Sequence, residues 1–253
     1  INEIRTLHEK YPEMEGVFFD EEVHNIKKSF NISLAKSIRS AGLDHLKYEA
    51  MCEYASLDEE ALEEMRAAGY YKIRFGIETG SDKVAEKMTL GKKHDLNKLR
   101  TMVKFGKSLG MLFYGTISIG GLGSSQEEDQ KTVDLVYEMA SQGWLDEIQV
   151  SINTPQPGTD FYNSCVDESL LSHSTNWEGF DGNGQVVVHY PHYPAEEIQI
   201  NFNKALTAFD MGKKQVQSKA FSNNAKSFFN IIPDGSRVLL LRNVRNWMIR
   251  LIL

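Results

Sequence analysis

Ile73-Arg74-Phe75-Gly76-Ile77-Glu78-Thr79-Gly80-Ser81-Asp82 is an apolar run that stops in a carboxylate and small polar residues. The run reads as a strand. Its polar end must find hydrogen-bond partners or carry a desolvation cost. In parallel α/β sheets such strand ends are where ligands are held. Two further ends of this kind follow, Ile119-Gly120-Gly121-Leu122-Gly123 and Thr154-Pro155-Gln156-Pro157-Gly158-Thr159. Fold and function both turn on whether these three ends meet.

Outward from that run, four helical patterns each stop at a glycine, Gly42, Gly69, Gly110 or Gly143, and an apolar strand follows within a few residues. Glycine is the residue that takes the left-handed conformation of a helix C-cap. The strands after them are read as Lys47–Cys52, Lys72–Ile77, Leu112–Ile119 and Glu147–Ile152, with an earlier one at Gly16–Phe19 running into Asp20, Glu21 and Glu22. Helix starts are marked by the capping boxes Ser56-x-x-Glu59 and Ser125-x-x-Glu128 and by Asp95 as an N-cap. Strands alternating with helices at this spacing imply parallel βαβ units. A (β/α) barrel or part of one is expected, with a doubly wound sheet as the rival. After residue 165 the pattern loosens through a Gly, Asn and Asp-rich stretch, and helix is expected again over Ala195–Gln217. Leu240–Leu253 carries its apolar residues on one helical face, which reads as a core-packing terminal helix or, less well, a membrane-surface one.

Composition sets outer limits. The 253 residues can bury a sizeable core, and a net charge of −7 carries no general footprint for nucleic acid. The charge is uneven: residues 213–253 carry eight Lys or Arg against Asp234 alone, a net of +7, which leaves −14 on residues 1–212. Two cysteines, Cys52 and Cys165, make neither a disulfide framework nor a metal site alone, and their scarcity fits a cytoplasmic protein. No signal peptide or 20-residue apolar span appears. The chain opens on Ile1 within a helical pattern, so a fragment of a longer protein is expected.

Each strand end also has a bland reading. Glu78 is equally a structural partner for Arg74 or a neighbouring Lys, and Thr79, Ser81 or Asp82 is a natural cap for the next helix. The 119–123 glycines suit a ligand approaching the backbone or simply a tight turn, without the spacing of a dinucleotide or phosphate loop. The two prolines after Thr154 suit a rigid rim or a strand terminator. Asp20, Glu21 and Glu53 add acids to the same edge, and the seven histidines show no metal-ligand spacing.

Taken together, four segments resemble the radical S-adenosylmethionine superfamily, in the branch that often carries a cobalamin-binding domain. They are Phe18-Phe19-Asp20-Glu21, Gly76-Ile77-Glu78-Thr79-Gly80-Ser81, Gly120-Gly121-Leu122-Gly123-Ser124-Ser125 and Thr154 to Thr159. The resemblance covers residues 1–160 and implies a partial (β/α)6 TIM-type barrel over residues 1–165, N-terminally truncated, with a mainly helical C-terminal extension over 166–253. It implies S-adenosylmethionine across the strand ends, a four-iron four-sulfur cluster that cleaves it reductively to a 5′-deoxyadenosyl radical, an electron donor, and possible cobalamin on a further domain. It places Asp20 and Glu21 near the amino-acid end of the cofactor, and Glu78 with Thr79 or Ser81 near its polar groups. Thr116, Ser118, Gly120 and Gly121 would line the adenosine side, and Thr154 and Pro155 would close the rim. The resemblance assigns no catalytic residue and leaves the substrate unknown.

The chain departs from that pattern in lacking a Cys-x-x-x-Cys-x-x-Cys loop, in Leu122 and Ser124 where Pro and Glu are usual, and in Glu53 where Arg is frequent. The expectation is that the cluster ligands lie upstream of Ile1, with no metal held by this chain, so that the fragment alone is inactive. The alternatives are a non-catalytic barrel serving binding or assembly, and an unrelated α/β enzyme binding phosphate on the 120–125 loop.

Overall fold

Tyr70–Glu78, the run that anchors the sequence reading, is the central strand (β3) of a five-stranded, wholly parallel sheet in the computed structural model of the chain. The structure describes residues 1–90, 94–172, 177–182 and 185–231. The Leu240–Leu253 segment lies outside the described residues. The other strands are β1 (Gly16–Phe19), β2 (Lys47–Met51), β4 (Leu112–Ile119) and β5 (Glu147–Ile152), and the sheet order is β1-β2-β3-β4-β5. Order in space follows order in sequence, without the reversal that defines a doubly wound sheet. All five C-terminal strand ends therefore lie along one edge.

The helices are α1 (Asn2–Lys10), α2 (Lys28–Ser40), α3 (Glu59–Ala67), α4 (Asp82–Lys87), α5 (Leu96–Ser108), α6 (Gln126–Ser141), α7 (Asp160–Asp167) and α8 (Ala195–Ile231). They form where buried positions recur at helical spacing: Asn31, Ala35 and Ile38 are those of α2, and Leu99, Met102, Val103 and Gly106 those of α5. All four expected C-cap glycines have left-handed φ, from +69° at Gly42 to +97° at Gly69. Ser125 caps α6 by accepting from Glu128 N at 3.2 Å, and Asp95 caps α5 by accepting from Asn97 and Lys98. The Ser56 expectation fails: Asp58 caps α3 by accepting from Ala61 N at 2.9 Å, and Ser56 Oγ instead donates to Glu53 at 2.5 Å inside a 3₁₀ turn. The expected helix from Ala195 forms and runs on past Gln217 to Ile231.

Alternation along the strands separates two faces. Ile73, Phe75 and Ile77 on β3 and Phe113, Ile117 and Ile119 on β4 are buried in the core beneath the helices. Burying each such side chain contributes about 1.5–3 kcal/mol. Packing there is close enough to dictate a glycine. A Cβ at Gly106 of α5 would stand 2.3 Å from the Phe113 ring. The opposite face is polar. Arg74 is paired with Glu49, and its guanidinium sits between the rings of Phe18 (4.8 Å) and Tyr114 (4.6 Å). Lys72 adds a bond to Glu147 at 2.8 Å.

The segment after β5 returns to the same core. Ile198, Asn201, Ala205, Ala208 and Gly212 form the buried stripe of α8, which packs on α6 and β5. Among the described residues, no helix is long and apolar enough to cross a membrane.

Candidate functional site

Glu78 ends β3 in a left-handed conformation, φ +64°, that a non-glycine residue takes only at about 1–2 kcal/mol of strain. The register with β4 slips at this point, Gly76 facing Thr116 and Glu78 facing Ile117. This bulge folds the Glu78 side chain back across Gly76, where a Cβ would lie only 2.3 Å from Glu78 Oε1. A side chain at position 76 would therefore displace the carboxylate two residues later. Ser118 Oγ donates to Glu78 Oε2 at 3.0 Å. Burial pushes the Glu78 carboxyl above its ordinary value, and the Ser118 bond works against that rise. Arg74, weighed from sequence as an ionic partner of Glu78, is engaged with Glu49 instead.

Glu78 stands on the wall of a cleft of about 610 Å³ at the C-terminal ends of β1 to β4. That volume suits a small-molecule ligand. Asp20 and Glu21 reach it from the loop after β1, Glu53 and Tyr54 from the end of β2, and Thr116 from β4. Val23, Met51, Ile77 and Leu90 supply the apolar part. The β1 loop is tied to the end of β2: the Asn25 side chain donates to Glu53 O (2.9 Å) and accepts from Glu53 N (2.8 Å), and His24 N donates to Met51 O (2.7 Å). Of the residues expected at the site, the structure therefore brings Asp20, Glu21, Glu78 and Thr116 together, with Ser118 behind Glu78.

Thr79 and Ser81 face the other way. Thr79 is fully buried, 3.1 Å from Thr132 of α6, and its hydroxyl accepts from Ser81 N. Ser81 caps α4 by accepting from Val84 N and donates to Glu128 at 2.5 Å. Both join α4 to α6.

The Gly120 loop is likewise closed by protein. Gly120 has φ +76°, its N–H donates to Asp129 Oδ2 at 2.8 Å, and its carbonyl accepts from Tyr190 at 3.2 Å. A Cβ at Gly120 would stand 2.9 Å from Ile198, and one at Gly121 2.8 Å from Met88 Sδ. Thr154 donates to Ile152 O at 3.0 Å, Pro155 is buried beside it, and Gln156 braces the turn by donating to Phe180 O at 2.7 Å. Gly120, Gly121, Thr154 and Pro155 thus frame the edge without lining the cleft.

Three features of the site went unread in the sequence. His94 lines the cleft with its side chain 4% exposed, and its Nε2 lies 3.4 Å from Asp82 Oδ1. That contact is an ion pair only with the ring protonated, and neither ring nitrogen has a hydrogen-bond partner among the described residues. Burial lowers the His94 pKa against the pull of Asp82. Tyr54 is buried at the cleft, and its hydroxyl accepts from Asp95 N at 3.1 Å. Asp129 is wholly buried, accepting from Gly120, Ser124 and Tyr193. A carboxylate in the first turn after a glycine loop was the available signal for Asp129; nothing local marks His94 or Tyr54.

Glu21 and Glu78 are each held by one hydrogen bond from the protein, and carboxylates so placed are acceptors that the polar atoms of a nucleoside-type cofactor can meet. An iron–sulfur cluster does not fit these residues. Among the described residues no three His, Cys, Asp or Glu are grouped to hold a metal. Cys52 lies at the cleft, but burial, followed by the Glu21 charge, pushes its thiol well up; burial also raises Cys165, to about 11. Neither is a ready thiolate.

The chain is similar to an uncharacterized methyltransferase of Pyrococcus horikoshii, 27% identical over 225 residues that make up 88% of this chain and 47% of that protein. It is also similar to the cytidylyl-2-hydroxyethylphosphonate methyltransferase of Streptomyces wedmorensis, 26% identical over 121 residues, 46% of this chain and 22% of that protein. The chain thus spans about half the length of the first relative and less of the second. No protein-family profile matches it. Among solved structures it resembles the radical S-adenosylmethionine methyltransferase TsrM of Kitasatospora setae with cobalamin and an iron–sulfur cluster bound. There the TM-score is 0.60 at 16% identity, covering 79% of this chain and 40% of that one. TsrM with tryptophan substrate and a cofactor analogue bound gives a TM-score of 0.51 at 16% identity, covering 60% and 29%. The parallel α/β fold is shared with a radical S-adenosylmethionine enzyme, and the sequence relatives are methyltransferases. At 16% identity the likeness to TsrM is one of fold.

Proposed function

We propose that this chain is most of the catalytic barrel of a radical S-adenosylmethionine enzyme, and that the cleft at the ends of β1 to β4 is its S-adenosylmethionine site. The observation that carries the reading is the convergence of Asp20, Glu21, Glu78 and Thr116, from three separate strands or the loops after them, on one cleft of ligand size. In this reading the sheet is part of a (β/α)6 barrel. Consecutive strand order and a polar inner face support that geometry.

Asp20 and Glu21 would meet the ammonium end of the cofactor, and Glu78, held by Ser118, its polar groups beside Thr116. Val23, Met51 and Leu90 would exclude water from one side of it. S-adenosylmethionine held there would bring its sulfonium to the cleft, and a cluster bound by other residues would supply the electron for its reductive cleavage. The three thiolates for that cluster would come from sequence outside these 253 residues. The methyltransferase relatives favour methyl transfer as the reaction class, and the cobalamin bound in TsrM supports that group as a further cofactor of the whole protein. Phosphate binding on the 120–125 loop has less support, because the Gly120 N–H already serves Asp129.

The test is anaerobic isolation of the full-length protein, iron analysis, and titration with S-adenosylmethionine. A cluster-type absorption band and saturable binding that weakens about tenfold or more in Glu78→Ala are expected, the scale of a lost bond to a charged group. A full-length protein that binds neither iron nor S-adenosylmethionine overturns the reading and leaves a non-catalytic barrel.

A further inference from the structure

Glu21 does not stand alone at the cleft. His24, three residues on, is 3% exposed, and its Nδ1 is hydrogen-bonded to Glu21 Oε1. On the other side of the ring, Nε2 lies 2.8 Å from the hydroxyl of Tyr70, at the start of β3. The imidazole is packed against Phe19, ring centroids 4.7 Å apart, and Phe19 and Tyr48 flank Tyr70 at 5.9 and 5.4 Å. The row of groups runs from the cleft surface, where the Glu21 side chain is 49% exposed, to the fully buried Tyr70.

The chemistry of the row sets its protons. Burial, then the nearby Cys52, Tyr48 and Glu21, push the Tyr70 phenol well above its ordinary value, so it keeps its proton. Among the described residues the Tyr70 hydroxyl has no acceptor but His24 Nε2. With Nε2 accepting, the ring proton belongs on Nδ1, where it is donated to Glu21. An imidazole with the other tautomer would turn a lone pair toward the carboxylate. One Glu21 oxygen is thereby fixed, and the second, with no hydrogen-bond partner among the described residues, is left to the cleft.

We infer that His24 and Tyr70 are positioning residues that hold the Glu21 carboxylate in one orientation, as the acceptor for a ligand's ammonium group. The identity of that ligand as S-adenosylmethionine rests on the function proposed above; the holding of Glu21 does not. Preorganisation of this kind improves affinity by removing the freedom a side chain would otherwise lose on binding. The backbone bond from His24 N to Met51 O (2.7 Å) fixes the ring's origin as well.

Two measurements test it on the full-length protein. Long-range proton–nitrogen NMR of the histidine rings, with His24 assigned by comparison with His24→Asn, should show a protonated Nδ1 and a bare Nε2 at neutral pH. A bare Nδ1, an averaged ring or an imidazolium overturns the inference whatever the protein binds. Titration with S-adenosylmethionine then forms a double-mutant cycle. Tyr70→Phe and His24→Leu should each weaken binding about tenfold in the wild-type background, the scale of a bond to a charged group, and less than twofold in Glu21→Gln. His24→Asn, which keeps a donor near Glu21, should recover part of the loss. Equal losses in both backgrounds mean that the two residues only stabilise the fold, and overturn the positioning role. A wild-type protein that binds no S-adenosylmethionine overturns the function proposed above, and the NMR result still decides whether Glu21 is held.

Discussion

The phenol of Tyr193 donates to Asp129 Oδ2 at 2.9 Å across 64 residues of sequence, joining the segment before α8 to the first turn of α6. Asn201 of α8 donates to the same phenol at 2.8 Å, and Asp129 in turn holds Gly120 N and Ser124 Oγ. The conformation of the loop after β4 therefore depends on residues beyond the strand-forming part of the chain. Tyr193→Phe leaves Asp129 and the Asn201 amide each short of one buried partner. The expected loss is about 1.5–3 kcal/mol, the range for a bond to a charged group, read as a lower urea midpoint. An unchanged midpoint would mean that water replaces the phenol and the clamp is not structural.

Glu78 predicts a pH signature. Burial places its folded pKa above the unfolded value of about 4.3, so the folded state holds the proton more firmly than the unfolded chain. The stability Glu78 contributes is then full below the unfolded value and is lost as pH rises through the raised folded value. Glu78→Gln removes the buried charge while keeping the Ser118 contact. It should raise the thermal midpoint at neutral pH, with the difference vanishing near pH ~4, where Glu78 itself is protonated. A variant less stable than wild type at neutral pH would show the carboxylate to be a net stabilising group. The same variant should bind S-adenosylmethionine more weakly, an opposition of stability and function expected where a strained, partly buried acid is kept for binding.

Much of the fold was legible because its signals are local. Gly42, Gly69, Gly110 and Gly143 terminate helices by backbone conformation, and the strands after them are apolar runs within reach of those caps. The Ser56 cap was misread because Asp58 stands two residues later and a 3₁₀ turn intervenes. The site was legible to the level of strand ends and no further. The slip between Gly76 and Glu78 decides that Glu78 stands at the cleft while Thr79 and Ser81 turn into the helix layer. A slip of that kind is set by the neighbouring strand, not by the segment's own pattern. Gly120 shows the same limit. Its small size answers to Ile198, 78 positions away in sequence, as well as to its own turn.

Two glycines should separate packing from binding. At Gly106 an alanine gains about 1 kcal/mol of helix propensity but drives its Cβ to 2.3 Å from the Phe113 ring, an overlap in a closed core that costs about 1–3 kcal/mol. Gly106→Ala should be neutral to destabilising and leave ligand affinity unchanged. At Gly76 the clash is with the end of the flexible Glu78 side chain, which can swing away. Gly76→Ala should change the urea midpoint little and displace the carboxylate from its bond to Ser118, with affinity for S-adenosylmethionine falling by about the tenfold of one such bond. The reverse pattern, an unstable Gly76→Ala that binds normally, would remove Glu78 from the site.

Arg74 tests the polar face of the sheet. Its guanidinium is held by Glu49 and by two aromatic faces, Phe18 from β1 and Tyr114 from β4, so one side chain links three strands across β3. Glu49 is 8% exposed, and Lys72 reaches it only at 3.8 Å. Arg74→Ala leaves that carboxylate with a distant cation and opens the space between two rings. Because Arg74 keeps some solvent contact, the expected cost is about 1–3 kcal/mol, below that of breaking a fully buried pair. Arg74→Lys should recover only part of it, since an ammonium gives the point charge without the planar face that stacks on both rings. Chemical denaturation of the two variants checks the order. If Arg74→Lys matched wild type, charge alone would account for the site, and the stacking between Phe18 and Tyr114 would contribute nothing to the sheet.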